Sequence, residues 1–201
     1  MFVRNGVIYV YKLCKSEQSA ARQRELEKGL LAAMQASHYE KINVSELCQR
    51  MQIPRKSFYR YFSGKDGALH ALIDHTLMEY ETYAASHHQE RRTLTGDLEQ
   101  YFLFWKEHGN LLDALERSGI SGILIERSIS HAVSEPVFPS RFMVRETKLM
   151  QQHVVAFSIC GLMTMMLRWH HDGYLETPRS LAVIAERLLT QPLFPDAANL
   201  L

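Results

Sequence analysis

From residue 16 to about residue 190, apolar side chains return every third or fourth position, and few stretches alternate at period two. A chain patterned this way cannot build much sheet, because a strand needs alternation to bury one face. The expected class is therefore all-α. "SEQSAARQRELEKGLLAAMQAS" starts the series, with Leu26, Leu30, Ala33 and Met34 on one stripe. "NVSELCQRM" is a short second helix in which Asn43 has N-cap character and Glu46 stands three residues on. Pro54 then interrupts, since it lacks an N–H and disfavours helical angles at Ile53, yet it suits the first turn of a new helix.

That third segment, "PRKSFYRYFSGK", settles its own orientation. At 100 degrees per residue Phe58 and Phe62 share one side and Lys56, Ser57 and Arg60 the other, with Tyr59 and Tyr61 on the flanks. Two short helices meeting at a tight turn, the second with a basic outer face, are the layout of a helix-turn-helix reader. Net charge is only +1, but it is uneven. Lys41 to Lys65 holds six cations (Lys41, Arg50, Arg55, Lys56, Arg60, Lys65) against Glu46, a local +5 that leaves −4 for the remainder. Such a patch attracts a polyanion while the rest of the surface repels it.

Further on, "KDGALHALIDHTLMEYETYAAS" reads as a long helix with Leu69, Leu72, Ile73, Leu77 and Tyr80 inward, and "TGDLEQYFLFWKEHGN" is apolar almost all round, as for a helix buried in a bundle. One or two helices broken near Gly119 to Gly122 follow, then a two-proline loop at 135–140, a long helix from Phe142 to about His171, and a last helix capped by Thr177 and Pro178 and ending near Leu189. The first residues, with Val3, Val7, Ile8, Val10 and Tyr11, are strand-like and read as an arm, flexible or upstream of the true start. No uninterrupted apolar run reaches about 18 residues, no leader pattern is present, and Cys14, Cys48 and Cys160 form neither pairs nor CxxC spacings. The expectation is a cytoplasmic protein with reduced thiols and no membrane partner.

"INVSELCQRMQIPRKSFYRYFSGKDGALHAL", above all "FYRYF" followed by "KD", resembles the N-terminal signature of the TetR/AcrR family of bacterial transcriptional repressors. The resemblance spans about residues 20 to 190 and implies an N-terminal three-helix helix-turn-helix domain at 17–64, after an arm at 1–16. A helical bundle for ligand binding and dimerisation would follow at 65–190, with a tail at 191–201. The function it implies is a dimeric repressor, released from a palindromic DNA operator by a small-molecule inducer, with no enzymatic activity, cofactor or metal. Arg55, Lys56, Ser57 and Arg60 would face the major groove, Tyr59, Tyr61 and Lys65 would meet phosphates, and Asn43 and Ser45 would clamp the DNA backbone. Two departures stand out: Gln52 occupies the family's glycine, where a left-handed conformation costs a side chain about 1 kcal/mol, and Pro54 replaces a frequent serine cap.

A homodimer would form through Met150, His153, Phe157, Gly161, Thr164 and Arg168 on the penultimate helix, with Leu181, Ala185 and Leu188 from the last. Val155, Ile159, Leu162 and Met166 would face inward; the reverse assignment is also open. Tyr101, Trp105, Ile159, Met163 and Met166 are the candidates for lining the inducer site, where apolar walls carry a few polar tips. Competing readings are a thiol-based redox sensor using Cys160 or Cys48, both on apolar stripes, a helical adaptor that does not bind DNA, and an enzyme. The last is poorly supported: His70 and Asp74 share a helix face, but no HExxH motif, phosphate loop or serine elbow is present.

Overall fold

The computed structural model describes residues 2–4, 7–87, 93–134 and 148–191. The two-proline loop, the start of the long helix expected from Phe142 and most of the expected tail lie outside the described residues. Helix content dominates. Strands β1 (Phe2–Arg4) and β2 (Val7–Tyr9) pair antiparallel, with Phe2 opposite Tyr9 and Arg4 opposite Val7. The helices are α1 (Glu17–Ala36), α2 (Val44–Arg50), α3 (Arg55–Tyr59), α4 (Lys65–Ser86), α5 (Leu94–Glu107), α6 (Gly109–Arg117), α7 (Ser121–Ser134), α8 (Lys148–His171) and α9 (Pro178–Thr190), with a 3-10 turn at Tyr39–Lys41.

The helix boundaries follow local chemistry. Ser16, Asn43, Thr93 and Thr177 each accept a hydrogen bond from a backbone N–H three residues on, satisfying a donor that the first helical turn leaves open. Gly119, at φ +68°, separates α6 from α7, and Gly173 at +72° with Tyr174 at +60° ends α8.

The chain divides into two compact units that do not follow chain order. One comprises the residues up to Met78 together with Asn110–His131; the other comprises Glu79–Gly109 and the residues from Ala132 on. The expected division at Gly64 thus differs from the observed one, because the start of α4, most of α6 and most of α7 belong with the helix-turn-helix. Arg117 donates from Nη2 to the Met34 carbonyl at 2.7 Å, and the Tyr39 N–H donates to Ser118 Oγ at 3.1 Å, stitching the α6–α7 corner to the end of α1 and the turn after it. Leu26, Leu30, Met34, Leu47, Phe58, Phe62, Leu69, Ile73, Leu111 and Leu112 form the core of this unit.

Buried charge is compensated. Glu27 is buried beside His75, whose Nδ1 lies 2.9 Å from its carboxylate. Asp74 is held in the fork of Arg127 and also accepts from Tyr11 Oη at 2.7 Å. Donors on both oxygens compensate a carboxylate in a core where an unpaired one would be costly.

The second unit is organised around α5. Phe102 and Trp105 are fully buried, and Phe102 meets Trp169 of α8 edge-on with ring centroids 5.8 Å apart. Thr95 hydrogen-bonds Glu186 and Arg179 pairs with Glu99 at 3.1 Å, so two polar contacts join α5 and α9.

Candidate nucleic-acid interface

The turn between α2 and α3 is shaped by two backbone positions. Gln52 takes φ +54°, the left-handed conformation in which glycine is the least costly residue. Pro54 precedes α3 at φ −64° without a side-chain cap, and its carbonyl accepts from the Ser57 N–H at 2.8 Å. The ring therefore sets the entry angle that a capping serine would otherwise set.

Helix α3 has only five residues and owes its orientation to packing rather than to its own hydrogen bonds. Phe58 is 0% and Phe62 1% exposed, their ring centroids 5.1 Å apart. Full burial of each ring is worth about 1.5–3 kcal/mol, so rotating the helix would forfeit several kcal/mol. With the rings pinned, Arg55, Lys56, Tyr59 and Arg60 are exposed and Ser57 is half-buried. Arg55 lies over the Tyr59 ring at 5.8 Å. None of Arg55, Lys56 or Arg60 has a carboxylate partner among the described residues. On α2, Ser45 is exposed and Asn43 uses Oδ1 to accept the Glu46 N–H at 2.8 Å, leaving its amide NH2 for another partner.

Two expected phosphate contacts take other roles. Tyr61 is 6% exposed, the Lys12 ammonium lies 5.8 Å from its ring centroid, and its carbonyl accepts from the Lys12 N–H. Lys65 commits its three ammonium donors to the carbonyls of Tyr39, Glu40 and Ile42, at 2.9, 3.2 and 3.1 Å, and sits 4.5 Å over the Tyr39 ring. It caps the 3-10 turn instead of projecting outward. Tyr39 in turn donates to Asp66, and burial followed by that carboxylate raises its pKa far above the phenol range, so it stays neutral.

No protein-family model matches the chain, and no curated protein matches it. Solved structures do. The dihydroxyacetone kinase operon activator DhaS superposes with a TM-score of 0.57 at 14% identity, over 85% of this chain and 94% of its own. A tetR-family transcriptional regulator from Streptomyces coelicolor gives 0.56 at 21% identity, over 83% of this chain and 80% of its own. The fatty acid degradation regulator FadR from Bacillus halodurans gives 0.55 at 12%, over 90% and 98%. The chain has the fold of a TetR-family transcriptional regulator.

Within that fold the second unit contains both remaining groups of candidates. Tyr101, Trp105, Met163 and Met166 are buried and Ile159 is half-buried. Tyr101 Oη and Trp105 Nε1 are buried without a hydrogen-bond partner. Burial, and secondarily Tyr80, pushes the Tyr101 phenol up, so it remains a donor. An unpaired buried donor costs about 1–3 kcal/mol. Here two occur four residues apart on one helix.

On α8, Met150, His153, Phe157, Gly161, Thr164 and Arg168 are exposed while Val155, Leu162 and Met166 are buried, the division expected from the sequence. An open groove of about 570 Å³ runs between α8 and α9, lined by Phe157, Gly161, Thr164, Arg168, Leu181 and Ile184 among others. Helix α9 requires a correction: Ala185 is fully buried and Leu181 nearly so, because both pack inward, whereas Val183, Ile184 and Leu188 are exposed. The cysteines also divide. Cys48 is buried, and burial pushes its thiol up despite Arg55 nearby, while Cys160 is exposed on the groove. Asp74, held by Arg127 and Tyr11, is not available to pair with His70 at a metal, and no group of three potential ligands occurs among the described residues.

Proposed function

We propose that this chain is a ligand-responsive, DNA-binding transcriptional regulator acting as a homodimer, a repressor released from a palindromic operator by a small molecule. The observation that carries the reading is α3: pinned by Phe58 and Phe62, it presents Arg55, Lys56 and Arg60 with no carboxylate among the described residues to neutralise them. Exposed, unpaired guanidinium groups on a helix held by its opposite face suit major-groove readout, where arginine pairs with guanine O6 and N7. The neighbours named as transcriptional regulators, one of them an operon activator, support the same class.

One five-residue helix offers too small a contact for a specific site, so two copies reading two half-sites are required. Helix α8 supplies the surface. Its Leu149–His171 stretch is long and apolar enough to cross a membrane, yet only 22% of its most apolar window is buried. Its exposed side mixes Phe157 and Met150 with His153, Thr164 and Arg168. Such a mixture fits a second protein copy better than lipid.

The unpaired donors Tyr101 Oη and Trp105 Nε1, amid aromatic and methionine side chains, fit an inducer that brings acceptor oxygens into an apolar site. Near-complete release needs that inducer to favour one spacing of the reading helices over the other by about 5 kcal/mol. Helix α4, whose residues up to Met78 belong to the DNA-reading unit and whose later residues belong to the other, is the element expected to carry the shift.

Selection of bound sequences from a random duplex pool tests the proposal. Enrichment of a palindrome, with affinity falling steeply as salt rises, is the expected result; enrichment of no site, or salt-insensitive binding, would refute it.

A further inference from the structure

The segment Val10–Cys14, expected to be part of a loose arm, is built into the DNA-reading unit. Tyr11 is 3% exposed, its hydroxyl bonds Asp74 inside the Arg127 fork, and its ring meets His75 edge-on at 5.7 Å. On either side of this anchor the backbone runs antiparallel to the chain that leaves α3. Lys12 N–H donates to the Tyr61 carbonyl at 2.7 Å, Ser63 N–H and Oγ donate to the Val10 carbonyl at 3.0 and 2.9 Å, and Tyr11 pairs with Phe62. The approach is close enough to dictate sequence: a Cβ on Gly67, in the first turn of α4, would lie 2.4 Å from the Val10 carbonyl oxygen.

This strap carries a cation into the position that the reading helix leaves without one. Tyr61, next to the exposed Arg60, is covered, and Lys65 is occupied by three carbonyls. The Lys12 side chain is half-exposed, its ammonium lies over the Tyr61 ring with no hydrogen bond or ion pair among the described residues, and it follows a backbone bond that fixes its Cα beside the end of α3. Cation–π contact with one ring holds an ammonium in place while leaving its N–H donors able to bind an anion.

We infer that the strap is a second element of the nucleic-acid interface, with Lys12 as a phosphate ligand held at the end of α3 by the Tyr11 anchor. The inference rests on the DNA-binding function proposed above. A contact of this kind positions the protein without reading bases, so its loss weakens binding to every sequence alike.

The test uses full-length protein and duplexes from the selection, with log affinity measured against log salt between 50 and 200 mM. Each phosphate contact contributes about 0.9 to the slope, so Lys12→Gln, lost twice in a dimer, lowers it by about 1.8, equivalent to a roughly twelvefold smaller loss of affinity over that range. Lys12→Arg is expected to keep the wild-type slope. Lys106→Gln, which removes the same charge from the other unit, is expected to leave it unchanged. Both glutamine variants retain the backbone bonds, and a thermal melt matching wild type confirms that the strap is still seated. A wild-type slope in Lys12→Gln, or equal losses in the Lys12 and Lys106 variants, would overturn the inference and leave the DNA-binding reading standing. Salt-insensitive wild-type binding would overturn both.

Discussion

Phe157 provides the most quantitative test of the proposed homodimer. The ring is 73% exposed on α8, at the edge of the groove shared with α9. A phenylalanine presents about 200 Å², so on the order of 150 Å² remains to be covered in each copy. At ~25 cal/mol per Å² that is about 3.5 kcal/mol per ring. Truncation to alanine keeps Cβ and forfeits about 3 kcal/mol. A two-fold axis doubles the loss, but reorganisation at the interface recovers part of it, giving about 3–6 kcal/mol per dimer.

At about 1.4 kcal/mol per decade, Phe157→Ala raises the dimer dissociation constant at least a hundredfold. Sedimentation velocity over a dilution series from micromolar to nanomolar reads this directly. Leu175 is the control, since it is 82% exposed yet does not line the groove. Leu175→Ala is expected to dimerise as wild type does. Should Phe157→Ala dissociate at the wild-type concentration, or both variants weaken equally, this face is not the one that pairs. Because the ring is already solvent-exposed in the single chain, the variant should melt no earlier than wild type once both are monomeric.

Two further outcomes follow from side chains with unexpected partners. Lys65→Met removes charge-assisted bonds to three carbonyls, each net bond to a charged group being worth about 1.5–3 kcal/mol; with partial exposure, urea unfolding should show a loss of about 2–3 kcal/mol in total, whereas a purely phosphate-binding lysine would leave stability unchanged. His70 has its pKa lowered, first by burial and then by Arg127, against opposing pulls from Asp74, Asp66 and Glu126. A depressed histidine means the unfolded chain binds the proton more readily, so its contribution to stability is present above about pH 6.5, the unfolded value, and is lost as pH falls through the folded one. His70→Gln should flatten the melting temperature against pH below about 6.5; an unchanged slope would refute that assignment.

What could be read from the sequence was what neighbours along the chain decide. Capping by Asn43 and Thr177, the break at Pro54 and the strain at Gln52 depend on residues within three or four positions, and each occurs where the pattern placed it. Periodicity likewise showed which residues share a helix face. It did not show which way a face points. Leu181 and Ala185 do lie on one stripe of α9, but that stripe is turned inward. On α8 the exposed side is the one studded with His153, Thr164 and Arg168, polar residues that mark it as the outer side, while α9 has apolar residues on both. Tyr101 and Trp105 were legible as residue types suited to a site, but that their polar atoms lack partners depends on every side chain around them.

The two lysines show why a motif residue and its role can separate. Lys65 stands where the resemblance puts a phosphate ligand, yet three carbonyls of the Tyr39–Lys41 turn and its C-cap converge on its ammonium group. Moving to a DNA phosphate would forfeit those three hydrogen bonds and leave the turn uncapped, a loss that offsets the phosphate bond gained. Lys12 has no such competing demand: its backbone is fixed by Tyr61, its ammonium touches one ring, and moving from that ring to a phosphate breaks no hydrogen bond. Of the two cations beside α3, the one outside the motif is therefore the one free to bind, and the salt dependence of Lys12→Gln against the stability of Lys65→Met separates the two roles.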